Sequence, residues 1–412
     1  MENRAPPNPS SGVLFGWRGI LAMLCVAGLA AWNDFGLPVL LSGTVAVLAI
    51  VAHAWNRIAL TKLAFERTLE RTRVFPGQSV DYSVRLDNRK LLPLVWINAK
   101  DRIPRGIAPT ASQLPDGVVW TKGELSVSAS LLWYQRASWH CRLNCRKRGY
   151  FRLGPASLTS GDIFGLFDKS RLAGGIEHVI VYPRIFPLSQ LGLPSKFPLG
   201  EALSPNPAFA DPTRTRGIRD YTPDVPFHHI HWKASARTQR LQTKVFEPSC
   251  ALRASLFLDS SAFLGNAQEP DIEGFELAIS TLASIARHLI EERHAVGLYS
   301  DTELATGEAF VAIRAASGTE HLSHMLEALA KAKAKSIPFP RLLATVRPQL
   351  TGGGTLGIVT GGLTPEAIAR LTKLQRHGFP VVVFHVGDQP APQTPFMTRT
   401  VSPMAAMPVG DG

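Results

Sequence analysis

Cysteine is scarce, with four in 412 residues. That excludes a disulfide-stapled scaffold and fits a reducing compartment. Charge is also thin, at 18% of residues, and acids are the scarcer sign: 32 Asp and Glu against 44 Lys and Arg. The net charge of +12 points to acidic partners, whether anionic lipid, nucleic acid or an acidic protein face. Its plainest source is basic flanks to membrane spans plus scattered solvated charge. Catalytic signatures are missing too. No Walker-type phosphate loop occurs, and TGGG at 351–354 precedes a strand pattern instead of following one. No Gly-x-Ser-x-Gly elbow occurs. Cys250 with the later His288 and His294 has no spacing that supports a thiol nucleophile. Hydrophobic residues make up 45%, so the chain can bury cores in about two to three domains.

What is present begins, after a polar stretch at 1–12 expected to be disordered, with two apolar runs. The first is GILAMLCVAGLAAW at 19–32 and the second covers 39–55, with the turn formers NDFGLP between them. A span takes about 20 residues. The second run qualifies, and the first does so by borrowing 13–17, leaving Arg18 to snorkel from its end. Trp17, Trp32 and Trp55 stand where interface belts lie. A signal peptide and a buried soluble hairpin are the alternatives. The first lacks a small-residue cleavage site, and the second does not suit runs that are apolar on all faces. The expectation is a transmembrane hairpin over 13–55. Arg4 and Arg18 precede it, and Arg57, Lys62, Arg67, Arg71 and Arg73 follow it, while its turn carries Asp34 and no base. The positive-inside rule then puts both termini in the cytoplasm.

From 63 to 187 the apolar period shortens to two. SVDYSVRLDN, LVWINAKDRIP, LSVSASLLWYQ, SWHCRLNCRKRGYFRL and HVIVYP read as strands, separated by Pro and Gly breaks. A β-sandwich-like domain is expected. Cys141 and Cys145, four apart, share a strand face, and His140 beside them lacks the further ligands of a zinc site. RKRG at 146–149 reads as a charged edge. Residues 188–216, rich in Pro, Gly and Ser, read as a linker.

A dense segment follows at 217–250, beginning GIRDYTPDVPFHHIHWKASARTQRLQTK. Its residues allow a structural role, with Trp232, Ile230 and Tyr221 as anchors and Arg237 bonding carbonyls, and this reading ranks first. They also allow a partner-binding face, because Trp, Tyr and Arg are hot-spot types. A metal site at His228, His229 and His231 lacks a carboxylate or thiolate to complete it. The bases at 214–244 allow anionic-lipid or nucleic-acid binding, with no groove-reading motif present.

Residues 251–390 alternate strand and helix patterns, as a parallel sheet covered on both faces requires. RASLFLDSS is a buried strand ending in Asp and Ser. A helical stripe covers 271–292, AVGLYS and AFVAI read as strands, and 319–334 and 341–350 read as helices. TLGIVTG and PVVVFHVGD are further strands around a helix that starts at Thr364-Pro365-Glu366 and stops at Gly378. Residues 391–412 read as a loose tail.

The segment resembles the bacterial family called domain of unknown function 58. The likeness rests on Arg219-Asp220-Tyr221, Pro223, Ile230, Trp232-Lys233-Ala234-Ser235-Ala236-Arg237, Leu241, Lys244 and Phe246-Glu247. It extends to DIFGLF at 162–167, VIVYPRI at 179–185, the DNR…LPL…DRIP segment and the apolar runs. Asp224-Val225, His228 and His231 depart from the family's pattern. The α/β order resembles the von Willebrand factor A domain, a Rossmann-like fold. That family holds magnesium at its strand tips, and the resemblance implies a degenerate version here: Asp259, Ser261 and Thr319 match, whereas Phe263 and the Thr360-Gly361-Gly362 loop do not.

The expected protein is therefore a non-enzymatic, membrane-anchored factor in the bacterial cytoplasmic membrane, with no cofactor and no nucleic-acid partner. The resemblance implies a protein partner, a MoxR-type AAA+ ATPase. Arg219, Tyr221, Ile230, Trp232, Lys233, Arg237 and Lys244 are its candidate contact residues. The rival readings are an enzyme centred on Asp259 or the histidines, and a binder of anionic lipid or nucleic acid.

Overall fold

The computed structural model describes residues 17–33, 35–109, 114–194, 210–222, 225, 227–248, 253–264, 271–334, 338–350, 354–387 and 394–401. Two compact units emerge, Met1–Tyr182 and Pro183–Gly412.

The first unit opens with α1 (Trp17–Trp32) and α2 (Gly36–Ala59), which pack on each other. α2, with 24 residues, is long and apolar enough to cross a membrane. α1 has 16 described residues, short of the roughly 20 a span takes. Leu37, Leu40, Leu41, Val47, Ile50 and Val51 of α2 are exposed, an apolar surface that water would not tolerate in isolation. Ser42 and Thr44 donate to the carbonyls of Pro38 and Leu40, so their hydroxyls ask nothing of the surroundings.

The strands of this unit are β1 (Leu63–Leu69), β2 (Arg73–Val74), β3 (Ser79–Asn88), β4 (Leu94–Arg102), β5 (Ile107–Pro109) and β6 (Val118–Thr121). They continue with β7 (Glu124–Leu131), β8 (Arg136–Cys145), β9 (Gly149–Leu153), β10 (Ala156–Gly161), β11 (Asp168–Ala173) and β12 (Glu177–Val181). They form sheets in the orders β1-β3-β8-β5, β11-β10-β4-β7-β6 and β2-β12-β9. β3 alternates buried and open positions as its sequence does, and Val80, Tyr82, Val84 and Leu86 enter a core shared with Ile97, Val127 and Leu143. Cys141 and Cys145 face that core, and burial pushes both thiols up to about 11. One sequence expectation fails here. The run LSVSASLLWYQ does not continue as a strand, because the chain turns after Leu131 and leaves Trp133 and Tyr134 in the turn, Tyr134 with φ 53°.

The same core holds a charged network. Arg67 donates to both Asp101 oxygens at 2.9 and 2.7 Å, to Glu177 at 3.2 Å and to the carbonyls of Gly175 and Leu153. Tyr82 donates its hydroxyl to Asp101 as well. Burial alone pulls the guanidinium down, but the Asp101 charge and hydrogen bonds more than reverse this and hold it above its usual value. Gly154, at φ +77°, passes so close to Arg67 that a Cβ would sit 2.6 Å from its Nη1.

The second unit contains β13 (Ala210–Asp220), α3 (Trp232–Thr238), β14 (Gln242–Pro248), β15 (Arg253–Leu258), α4 (Ser261–Leu264), α5 (Ile272–Glu291), β16 (Ala295–Ser300) and β17 (Glu303–Leu304). β18 (Val311–Ala316), α6 (Thr319–Lys331), β19 (Ala332–Lys333), α7 (Phe339–Val346), β20 (Thr355–Thr360), α8 (Pro365–Arg376), β21 (Val381–Val386) and β22 (Met397–Val401) complete it. A six-stranded sheet runs β18-β16-β15-β20-β21-β22, with β18 alone antiparallel. Phe257, Tyr299, Ile358 and Val383 form one row facing α7 and α8, and α5 packs on the other face.

Two further sequence expectations fail in this unit. Leu188, Leu191 and Leu193 are buried, so the start of the expected linker belongs to a packed structure; 195–209 lie outside the described residues. The expected loose tail contributes β22, which pairs in parallel with β21; Val401 in it and Phe396 just before it are buried. Period-two patterning over five residues is too short to stand out from a Pro-rich stretch.

Candidate functional site

Two places in the second unit gather chemistry. The first is the carboxyl edge of the sheet. β15 and β16 run in parallel register, with Leu258 opposite Ser300, so the next residues, Asp259 and Asp301, emerge side by side. Both are buried. Asp259 accepts from Ser261 Oγ at 2.6 Å, from Thr360 Oγ1 at 3.0 Å and from Ala262 N at 3.3 Å. Asp301 accepts from the backbone N–H groups of Ser260 and Ser261, at 2.7 and 3.2 Å. Burial raises the pKa of Asp259. Burial, and then the neighbouring Asp259 charge, pushes Asp301 up to about 7. Thr302 Oγ1 is buried beside them without a hydrogen-bond partner among the described residues.

Of the three metal candidates, the fold brings Asp259 and Ser261 together and sends Thr319 away. β18 returns antiparallel to β16, placing Ala316 opposite Val296, and His321 Nε2 lies 2.7 Å from the Val296 carbonyl. Thr319 therefore sits at the opposite edge of the sheet from Asp259. Phe263, one of the positions that depart from the von Willebrand factor A pattern, is buried, and its ring lies 3.0 Å from where a Cβ on Gly361 would be. An acidic side chain at 361 would have to displace that ring. No group of three or more His, Cys, Asp and Glu close enough to hold a metal occurs among the described residues. Asp301 was not identified from sequence. Its signal was the same as that of Asp259: an apolar run, AVGLYS, that ends in an acid.

The second place is the segment from β13 to β14. These strands pair antiparallel, and the chain between them folds into a helical insert carrying α3. His231 Nδ1 accepts from Ala234 N at 3.1 Å and so caps α3, which commits one of the three histidines to structure. Ile230 is buried and bridges Thr243, and Ser235 Oγ accepts from Gln242 N at 2.9 Å. Trp232, sought as an anchor, is instead 67% exposed, and Phe227 is 69% exposed. Tyr221 is half-buried with its ring 5.5 Å from that of Phe227. Lys233, Arg237, Arg240 and Arg219 are exposed and Lys244 is half-buried. Ile230 is thus turned inward, whereas Trp232 and Arg237 are exposed. A seven-residue helix has one inward face, and the buried Ser235 holds it. The side chains of His228, Phe246 and Glu247 lie outside the described residues, as do Pro223 and Asp224.

A family model described as "Protein of unknown function DUF58" matches residues 217–390, which takes in both places. The "Uncharacterized protein YeaD" of Bacillus subtilis (strain 168) is 26% identical over 337 residues, covering 77% of this chain and 75% of that protein. Among solved structures, the CARDB domain of the PF1109 protein from Pyrococcus furiosus covers 29% of this chain and 91% of its own at 12% identity, with a TM-score of 0.20. A non-cellulosomal cohesin from Archaeoglobus fulgidus covers the same shares at 11% identity, with a TM-score of 0.22. Likenesses this slight carry no argument about fold or chemistry.

Proposed function

We propose that this chain is a membrane-anchored docking protein that grips an acidic protein partner through residues 217–248 and performs no catalysis itself. One observation carries the reading: Trp232 and Phe227 stand exposed in a segment that also exposes Arg219, Lys233, Arg237 and Arg240. Exposed aromatics interleaved with guanidinium groups are the side chains that dominate protein–protein hot spots, and their charge calls for an acidic face. The sheet edge supports docking over catalysis, because the chain's own donors already engage both carboxylates.

In this reading α1 and α2 form a two-span hairpin with both flanks in the cytoplasm. The six-stranded sheet is then a Rossmann-like unit of von Willebrand factor A type that has given up metal. An AAA+ ATPase of MoxR type is the partner to look for. The test is recovery of partners from detergent extract by the full chain. Trp232→Ala is expected to reduce recovery at least tenfold with melting temperature unchanged, whereas His229→Ala leaves recovery intact. Equal recovery by the two variants would refute the docking role.

A further inference from the structure

The strand register gathers an unusual set of loops at one end of the first unit. Leu63 opposite Asn88 places the start of β1, where the chain arrives from α2, beside the end of β3. Asp87 opposite Arg136 and Leu94 opposite Leu131 add the start of β8, the start of β4 and the end of β7. Ile97 opposite Ser160 and Gly161 opposite Asp168 add the end of β10 and the start of β11. The loops 89–93, 132–135 and 162–167 thus share the end at which α2 enters.

All three are tied to α2 or to one another. Lys90 Nζ donates to the carbonyls of Ile58 and Thr61 at 3.0 Å each, and to that of Ala59, closing the last turn of α2. A cation at that end also suits the helix dipole. Tyr134 N donates to the Lys90 carbonyl at 3.3 Å, and Asn88 Nδ2 donates to the carbonyls of Leu92 and Leu132. The Phe167 ring lies 5.6 Å from the His53 ring of α2. The buried Asp162 carboxylate accepts from the N–H groups of Phe164, Leu166 and Phe167 at 2.9, 3.0 and 3.1 Å, so the 162–167 loop is held in shape by its own side chain.

These rigid loops hold apolar side chains outward. Leu91 is 73% exposed, Trp133 is 61% exposed, and Leu132, Tyr134, Ile163 and Phe164 are exposed with them. His53 to Ala59 is seven residues of α2, six steps and so about 9 Å along the axis. One interfacial layer of a bilayer is roughly 5–8 Å thick, so the band of loops matches it in depth. Arg57 and Lys62 are exposed at the same level, within reach of headgroup phosphates. The opposite end of the unit, with the Lys122-Gly123 turn and Arg146, Lys147 and Arg148, is basic instead.

We propose that loops 89–93, 132–135 and 162–167 form a collar that seats the β unit on the surface of the membrane α2 crosses, with Trp133, Tyr134 and Phe164 in the headgroup–acyl boundary. Tyr and Trp favour that boundary, being apolar with one polar tip. The proposal rests on the reading of α2 as a span. The test uses the full chain in phosphatidylethanolamine–phosphatidylglycerol vesicles, with a benzophenone amino acid at position 41, 133, 164 or 122. Illumination is expected to give lipid adducts at 41, 133 and 164 and at least tenfold fewer at 122. Adducts at 41 with 133 and 164 no higher than 122 would overturn the collar while keeping the span. Adducts at 133 and 164 without any at 41 would keep the collar and remove the span.

Discussion

Asp101 in the first unit and Asp301 in the second are both buried carboxylates, and the chain solves their burial in opposite ways. Asp101 has Arg67 Nη1 donating to both of its oxygens, and the Tyr82 hydroxyl. Asp301 has the backbone N–H groups of Ser260 and Ser261, the Ser260 hydroxyl and, in place of a cation, a second carboxylate as neighbour. An isolated buried charge costs several kcal/mol, so a site without a counter-ion must take up a proton. The first network is fully compensated and reads as structure. The second is left sensitive to pH, at the carboxyl edge of the six-stranded sheet.

The strongest way to break this contrast is to remove the cation. Arg67→Met should cost the first unit about 3–5 kcal/mol, since it strands Asp101 and leaves Tyr82 facing an unpaired charge. A loss under about 1 kcal/mol in denaturant melts would show that the pair is dispensable. The next is a pH test of Asp301. Its folded pKa of about 7 lies above the ordinary 3.8. Its contribution to stability is therefore fully present below about pH 4 and is lost as pH rises through 7, with a slope of at most about 1.4 kcal/mol per pH unit. Asp301→Asn removes that titration, so the melting temperature of the variant relative to the natural chain should rise between pH 5 and pH 8. A difference independent of pH would contradict the assignment. The smallest effect is expected at Thr302→Val. The hydroxyl has no partner among the described residues, so its replacement by a methyl group should change stability by less than about 1 kcal/mol, in either direction. A larger loss would reveal a hydrogen bond that completes the site.

Much of the α/β unit was legible because its strands are continuous apolar runs and its helices carry clear stops. Thr364 caps α8 with Pro365 at the first turn, and burial is complete along β20 and β21. The candidate site was legible only in part. Asp259 and Ser261 announce themselves on one strand end, but pairing with Asp301 depends on which strand lies next to β15. Thr319 was misplaced for the same reason: local sequence does not say that β18 runs antiparallel and carries the chain to the far edge. Trp232 shows the limit most plainly. A tryptophan amid small residues reads as an anchor, yet the single inward face of α3 is taken by Ser235.

Composition and periodicity by themselves determined the apolar N-terminal runs, the change from period two to alternating strand and helix, and the excess of positive charge. These depend on transfer free energy and backbone geometry, which act residue by residue. Only the tertiary structure decided that two acids forty-two positions apart would share one desolvated corner, or that Leu91 and Trp133 would stand exposed in loops tied to the end of α2 through Lys90. Such neighbours are chosen by strand order and register, and those are properties of the whole sheet rather than of any segment in it.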